Sequence, residues 1–548
     1  MVNKFTRRYG IKVGAMLTAL AASGNLAYIQ EAAAQTAIGD PVDGEGVVGG
    51  ELIVGIVELP DTLDPHKTGA AITSTIMRNC SDPLVAKDFA GNYIPGLASS
   101  WNISEDGMTW AFTIRDGAMF HDGTPVTAEA VKASFDRILD PETIAVTAGG
   151  LLPPGVTTEL VDDSTFQFNL TEAFAPFLEN LTSSLLGPVS VAAAQEIGDD
   201  FGQRPVLSGP WYVEEWRAGD RIILKRNPDY AWAPEHLHQE PAGAFIETIT
   251  FRSIIEEASR IAAFEAGEVD QTGIPAVDVA RLADSPDFNV VSYKRKGVVF
   301  IEFNITKPPF DDVLVRRALN FAVDRQDVLE AGIEGLGEVA HGFLSPTIFG
   351  YWDGIADYAP GYDPDQARAL LEEAGWVDSN GDGVVEKDGQ DLSFTLLNLP
   401  TDSWNRAAQV VQSYLADVGV KMEIQIMEFA SLLDLASTAA HDAEMMGYTY
   451  SDPDIAYLWF HSSQAGSGLN MSHVQDPELD AKIEAGRTEV DLTARAEIYA
   501  DMQRDIVDRA LWIPLWSDLY YVGFQPRLKN ATFHPDNYAV YYDAWIEE

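Results

Sequence analysis

The run Thr109-Trp110-Ala111-Phe112-Thr113-Ile114, followed by Asp122-Gly123-Thr124-Pro125 and then Thr127-Ala128, decides the reading of the fold. Trp110, Phe112 and Ile114 alternate with smaller or polar residues. That pattern predicts a strand with one buried face, because successive side chains on a strand point to opposite sides. The Asp-Gly-Thr-Pro tetrad predicts a turn, and Thr127 suits the N-cap of a helix that places Val131, Phe135 and Ile138 on one side. Phe166, Phe168 and Leu170 then repeat the strand alternation. Strand, capped helix and strand in succession predict an α/β unit.

The same rhythm extends outward. Glu51–Val57 reads as a buried strand and Ile72–Met77 as a helix. Further on, Val298–Phe303 reads as a strand, Leu314–Val323 as a helix, Leu392–Leu397 as a strand, and Ala407–Val418 as a helix ending at Gly419. Met422, Ile424 and Ile426 alternate after it. Asp363, Pro364 and Gly375 bracket a helix with an N-cap, a first-turn proline and a glycine just past its end.

At 548 residues, the chain exceeds what one core usually serves, so two or three domains are expected. Acidic residues outnumber basic ones by 84 to 36, which excludes nucleic acid and anionic lipid as expected partners. The single cysteine, Cys80, rules out an intrachain disulfide and cysteine-rich metal sites; it is expected as a small buried residue. Lys4, Arg7, Arg8 and Lys12, a mildly apolar Val13–Leu20 stretch and Ala32-Ala33-Ala34 give residues 1–34 the layout of an export signal. Thr6-Arg7-Arg8-Tyr9-Gly10-Ile11-Lys12 resembles a twin-arginine signal, with Gly10 where phenylalanine is usual. A periplasmic, soluble protein without a lipid anchor is expected.

Four stretches carry a resemblance. The first runs from Pro95-Gly96-Leu97-Ala98 and Trp101 through Trp110, Phe120-His121-Asp122-Gly123 and Arg137. The second joins Ser208-Gly209-Pro210-Trp211-Tyr212 to Arg226-Asn227-Pro228-Asp229-Tyr230. The third spans Phe303-Asn304, Pro308-Pro309-Phe310 and Val315-Arg316-Arg317-Ala318-Leu319. The fourth combines Asp452-Pro453-Asp454, Asp476-Pro477-Glu478-Leu479-Asp480 and Trp512-Ile513-Pro514-Leu515-Trp516. Together they resemble the extracellular solute-binding proteins, family 5, which include dipeptide, oligopeptide and nickel binders of ABC importers.

The resemblance implies an α/β, two-lobe periplasmic binding protein of the type II-like kind, with an extra subdomain in the N-terminal lobe. Lobe I takes residues 35–90 and 206–302, the extra subdomain 91–205, lobe II 303–513, and residues 514–548 return to lobe I. Phe303, Asn304, Ile513 and Pro514 are the expected hinge. The implied partners are a small solute, peptide or peptide-like, and an inner-membrane ABC permease complex. The protein is expected to be a monomer that uses no cofactor and catalyses nothing.

The resemblance places Tyr448, Tyr450, Ser451 and Asp452 at a strand end facing the cleft. Because side chains alternate along a strand, one of the two tyrosines is expected to turn into the lobe core. Peptide binders carry Trp-x-x-Asp here, and Asp452 is displaced by one position. Where dipeptide binders hold the ligand carboxylate with arginine, this chain has Asn398, with Trp404 and Arg406 nearby. Thr73 and Ser74 are first-lobe candidates. These residues also suit an oligosaccharide or other polar neutral solute.

Asp378, Asn380 and Asp382, with Gly383, match the start of a calcium loop, but Gly389 stands where the closing glutamate belongs, so an ion-free turn is expected and no metal is assigned. A secreted hydrolase is the rival class, resting on adjacent acids such as Glu256-Glu257 and Asp162-Asp163. A nickel or haem carrier would rest on His236 and His238. His121 is expected to shape its loop rather than to act as a base.

Overall fold

The computed structural model describes residues 46–89, 91–234, 244–466, 468–534, 536 and 538–547. The export-signal segment and the His236/His238 pair lie outside the described residues.

Strand Gly49–Ile56 pairs in parallel with Ile246–Ser253 on one side and Gln271–Ile274 on the other. Antiparallel strands Arg221–Arg226 and Trp211–Arg217 continue that edge. A second group, Lys421–Ile426, Ser393–Asn398, Ala443–Thr449 and Gly297–Phe303, lies at the opposite end of the same twelve-stranded arrangement. The two groups have separate hydrophobic cores, one around Leu52, Ile249 and Phe251, the other split into clusters around Leu396 and Trp459. These are the two lobes.

Strand Trp512–Phe524 joins them. Its first part, Trp512–Trp516, pairs with Gly297–Phe303 in lobe II, and its second, from Leu519 to Phe524, pairs with Asn289–Lys294 in lobe I. The chain therefore passes between the lobes at Arg295-Lys296 and again at Ser517-Asp518. The expected hinge residues lie elsewhere. Phe303, Asn304 and Ile513 are buried inside lobe II, where the Asn304 amide donates to the Ala439 and His441 carbonyls. Pro514 is paired opposite Phe300.

The opening stretch forms the strand Thr109–Ile114, with Trp110, Phe112 and Ile114 buried. It pairs with Ala98–Ile103 and Thr165–Asn169 in a four-stranded antiparallel sheet. Helix Ala128–Leu139 packs on it, and the Thr127 side chain accepts from the Ala130 amide as a cap. Phe112, Phe135, Phe166 and Phe168 interlock in stacked and edge contacts. Their cluster is continuous with the lobe I core, so residues 98–169 thicken that lobe rather than stand apart from it.

The Asp363 cap, the Pro364 start and the positive φ of Gly375 frame helix Pro364–Glu373 as the sequence predicts. Helix Asp402–Asp417 begins five residues before the periodic pattern, because its first turn is polar. Gly209 is dictated sterically, since a Cβ there would lie 2.3 Å from the Cys80 carbonyl carbon. That close approach lets the Gly209 amide donate to the Cys80 carbonyl (2.7 Å) and the Trp211 amide to that of Asn79 (3.1 Å), which fixes the backbone just beyond Arg78. Cys80 is fully buried and unpaired.

Candidate functional site

A cavity of about 300 Å³ opens where the lobes meet. Lobe I supplies Arg78, Leu151, Glu179, Asn180, Thr182, Ser183 and Asp536; lobe II supplies Thr449, Tyr450 and Ser451; Lys296 comes from the crossing itself. A second cavity of about 170 Å³ follows the crossing into lobe II, between Arg295, Gly297, Trp404, Tyr448, Thr449 and Asp518.

The wall at the crossing is built from buried charges. Lys87 Nζ lies 2.6 Å from Glu179 Oε1 and 3.3 Å from Asp536 Oδ1, and Lys296 Nζ lies 2.5 Å from the same Asp536 oxygen. The Tyr93 hydroxyl donates to the other Glu179 oxygen at 3.0 Å. Burial pushes the Asp536 carboxyl up, but Lys296 and Lys87 outweigh it and hold the group well below the ordinary carboxylate range. His534 positions Asp536: its Nδ1 accepts the Asp536 amide at 3.0 Å, so Nε2 carries the proton that goes to the Lys87 carbonyl. Burial lowers that imidazole to about 4, keeping it neutral. Because Lys296 belongs to one crossing and Glu179 and Asp536 to lobe I, this network ties the crossing to the lobe.

The sequence-derived residues are distributed around this centre. Against the expectation that alternation would separate them, Tyr448 and Tyr450 stand two apart and so share a face, each against Trp459. Tyr450 is buried in lobe II, where its hydroxyl donates to the Phe343 carbonyl at 2.5 Å and accepts from the Ser345 amide at 3.0 Å. The Tyr450 amide donates to the Lys296 carbonyl at 3.1 Å, leaving its neighbours Thr449 and Ser451 exposed at the cavity. The Tyr448 hydroxyl is buried with no hydrogen-bond partner among the described residues.

Asp452 is engaged by Arg495 through two bonds of 2.6 and 3.0 Å, both residues being buried. Asn398 is buried and bonded to Asn405 and the Leu399 amide. Thr73 is buried, donating to the Thr62 carbonyl. Ser74 pairs with Ser184 at 2.7 Å. Trp404 lines the smaller cavity, and its ring packs so near Gly447 that a Cβ there would meet it at 3.3 Å.

The residues the sequence did not point to are Arg78, Glu179, Asn180, Lys296 and Asp536. Lys296 and Asp536 are 240 positions apart, and only the crossing brings them together. Lys296 carried one legible signal, its place just before the strand at Gly297. The Asp378 carboxylate accepts the Gly381 and Gly383 amides, and Asp382 accepts that of Val384, so the loop's oxygens serve its own backbone. Glu256 caps the helix Glu257–Glu265, accepting the Ala258 and Ser259 amides, so its carboxylate serves the helix end. His121 receives the Leu207 amide and donates to the Gly209 carbonyl, a loop staple, with burial lowering it to about 4.

Comparison with known proteins supplies the remaining step. The chain is 28% identical over 499 residues to the probable D,D-dipeptide-binding periplasmic protein of Escherichia coli (strain K12), covering 88% of this chain and 92% of that one. It is 30% identical to the dipeptide-binding protein of the same organism, covering 76% and 79%. The solved structure of an ABC transporter substrate-binding protein from Listeria monocytogenes superposes with a TM-score of 0.78 at 25% identity, covering 91% of this chain and all of that one. An oligopeptide-binding protein from Bacillus subtilis, in complex with a nonapeptide, matches with a TM-score of 0.70 at 25% identity, covering 92% and 100%. Residues 92–468 match the family described as bacterial extracellular solute-binding proteins, family 5 Middle. With two lobes, two crossings and a cavity walled by both, the chain belongs to the bacterial extracellular solute-binding proteins of family 5.

Proposed function

We propose that the protein captures a small solute, peptide or peptide-like, between its lobes and presents the closed form to an inner-membrane ABC permease, leaving the solute chemically unchanged. The observation that carries this is the cavity of about 300 Å³ whose walls come from lobe I, lobe II and Lys296 of the crossing. A solute seated there touches both lobes at once, so it binds the closed arrangement more tightly than the open one and shifts the population toward it. Water leaving the cavity on closure strengthens each polar contact that remains.

The lining combines the charged groups Arg78, Glu179, Lys296 and Asp536 with the Asn180 amide and the hydroxyls of Thr182, Ser183, Thr449 and Ser451, and Tyr450 is its one aromatic ring among the described residues. That suits the charged ends and peptide groups of a short peptide better than the apolar ring faces of a sugar, which want flat aromatic walls. No helix among the described residues is long and apolar enough to cross a membrane, and the periplasmic relatives support the same compartment here. The swivel belongs at Arg295-Lys296 and Ser517-Asp518, where the two strands leave one core for the other.

Thermal denaturation with short peptides, sugars and metal chelates tests the reading. A ligand of the native state raises the melting temperature with its concentration, and the intact compound is recovered afterwards. Consumption of a stabilising compound would contradict it.

A further inference from the structure

The two crossings are not the only places where the lobes meet. Helices Pro477–Thr488 and Leu492–Arg509 belong to lobe II, with Leu479, Ile483, Tyr499 and Met502 in its core. The connector between them ties its own ends. The Glu489 carboxylate accepts the Asp491 amide at 2.8 Å, and Asp491 caps the second helix through the Thr493 and Ala494 amides. Val490, at its centre, nevertheless packs against the core of lobe I.

Lobe I receives the connector with two stretches of the layer built on its four-stranded sheet. Gly107, at φ +68°, has no side chain to hold Val490 off; a Cβ there would lie 3.3 Å from Val490 Cγ1. Beyond the strand Thr165–Asn169, the Ala175 amide donates to the Arg487 carbonyl at 2.7 Å. That carbonyl is among the last four of its helix, which have no partner within it, so a donor from the other lobe takes the place of water. The Arg487 guanidinium lies over the Tyr457 ring of lobe II at 3.8 Å and the Phe174 ring of lobe I at 5.4 Å, both within cation–π range, and Asp454 of lobe II holds its Nε at 3.1 Å. Ala175 stands just before the helix Phe177–Asn180, which carries Glu179 and Asn180 to the interlobe cavity, so the contact borders the cleft.

We infer that Arg487 and Val490 of lobe II form a latch that docks on Gly107, Phe174 and Ala175 as the lobes come together, and that the layer added to lobe I serves to hold a fraction of the solute-free molecules closed. Opening the cleft breaks one hydrogen bond, one cation–π contact and the burial of Val490, and leaves both cores intact. Contributions of that size change the closed-to-open ratio by about 5- to 30-fold. Solute then completes the shift by binding the closed arrangement.

The test uses the full chain without solute: small-angle scattering and hydrogen exchange mass spectrometry of the wild type, Val490→Asp, Phe174→Ala and Thr488→Ala. Val490→Asp puts a carboxylate where lobe I offers apolar surface, and Phe174→Ala removes the lobe I ring. Each raises the radius of gyration, and Val490→Asp also speeds exchange of the Ala175 amide. Thr488→Ala, whose hydroxyl bonds to the Glu484 and Ala485 carbonyls of its own helix, matches the wild type. Unchanged circular dichroism shows that the variants fold. Val490→Asp with the wild-type radius and exchange rate overturns the inference, as does an effect from one lobe's variant alone. An equal effect of Thr488→Ala overturns it too, because the change would then come from the helix end. No solute enters the experiment, so its failure leaves solute capture standing.

Discussion

Replacing Glu444 with glutamine should stabilise lobe II more strongly the higher the pH. Glu302 and Glu444 sit directly opposite each other where strand Gly297–Phe303 pairs with Ala443–Thr449, and both side chains are fully buried. Glu302 accepts the Ser472 amide at 2.6 Å. His441 Nε2 lies 2.7 Å from Glu444 Oε2, although neither atom has hydrogen-bond geometry. Tyr448 and Trp512 close the site, with Lys307 and Asp442 beyond His441.

Burial pushes Glu444 up to about 8, and burial together with the facing Glu444 raises Glu302 well above its ordinary value. Burial lowers His441 to about 4, so no imidazolium compensates the pair. A carboxyl whose pKa is raised on folding contributes stability that is fully present below its unfolded value, near 4.5, and that is lost as the pH climbs through about 8. The wild-type protein thus loses about 1.4 kcal/mol per pH unit relative to Glu444→Gln. That amounts to about 3 kcal/mol between pH 5.5 and 7.5. Urea unfolding of both proteins at pH 5.5, 6.5 and 7.5, followed by circular dichroism, measures the gap. A gap that does not change with pH would mean that Glu444 is ionised in the folded protein and that the reasoning is wrong.

Breaking the Asp452–Arg495 pair with Arg495→Ala leaves a buried carboxylate uncompensated, so lobe II should lose about 3–5 kcal/mol in chemical denaturation. Gly209→Ala drives a methyl into the Cys80 carbonyl, and should cost about 1–3 kcal/mol or more, seen as a lower melting temperature of lobe I. Lys296→Met removes the ion pair between the crossing and Asp536 and should loosen the crossing, read as faster amide exchange at 295–297 in hydrogen exchange mass spectrometry. Trp404→Ala removes a wall of the smaller cavity and should weaken binding of a captured solute without altering the unfolding of lobe I.

Local chemistry made the elements legible. The Trp110, Phe112, Ile114 alternation, the Thr127 cap and the Asp363-Pro364 start depend on neighbours within a few positions, so the sequence states them directly. The crossings between the lobes were not legible in that way. A landmark such as Phe303-Asn304 marks where a strand ends, whereas the crossing is set by which half of Trp512–Phe524 pairs with which lobe, a property of long-range pairing. The candidate site divides similarly. Thr449 and Ser451 reach the cavity because Tyr450 between them turns inward, but the strand period alone does not say which parity faces the cleft. Asp452 carries no sign in the sequence that Arg495, 43 positions on, will claim it. Glu179, Lys296 and Asp536 come together only through the folded crossing.

Small-angle scattering of the protein with and without a solute that raises its melting temperature bears most directly on solute-driven closure. Rotation about Arg295-Lys296 and Ser517-Asp518 predicts a smaller radius of gyration in the bound form, with the solute recovered unaltered. A saturating solute that leaves the scattering curve unchanged, or that is converted to product, would contradict it.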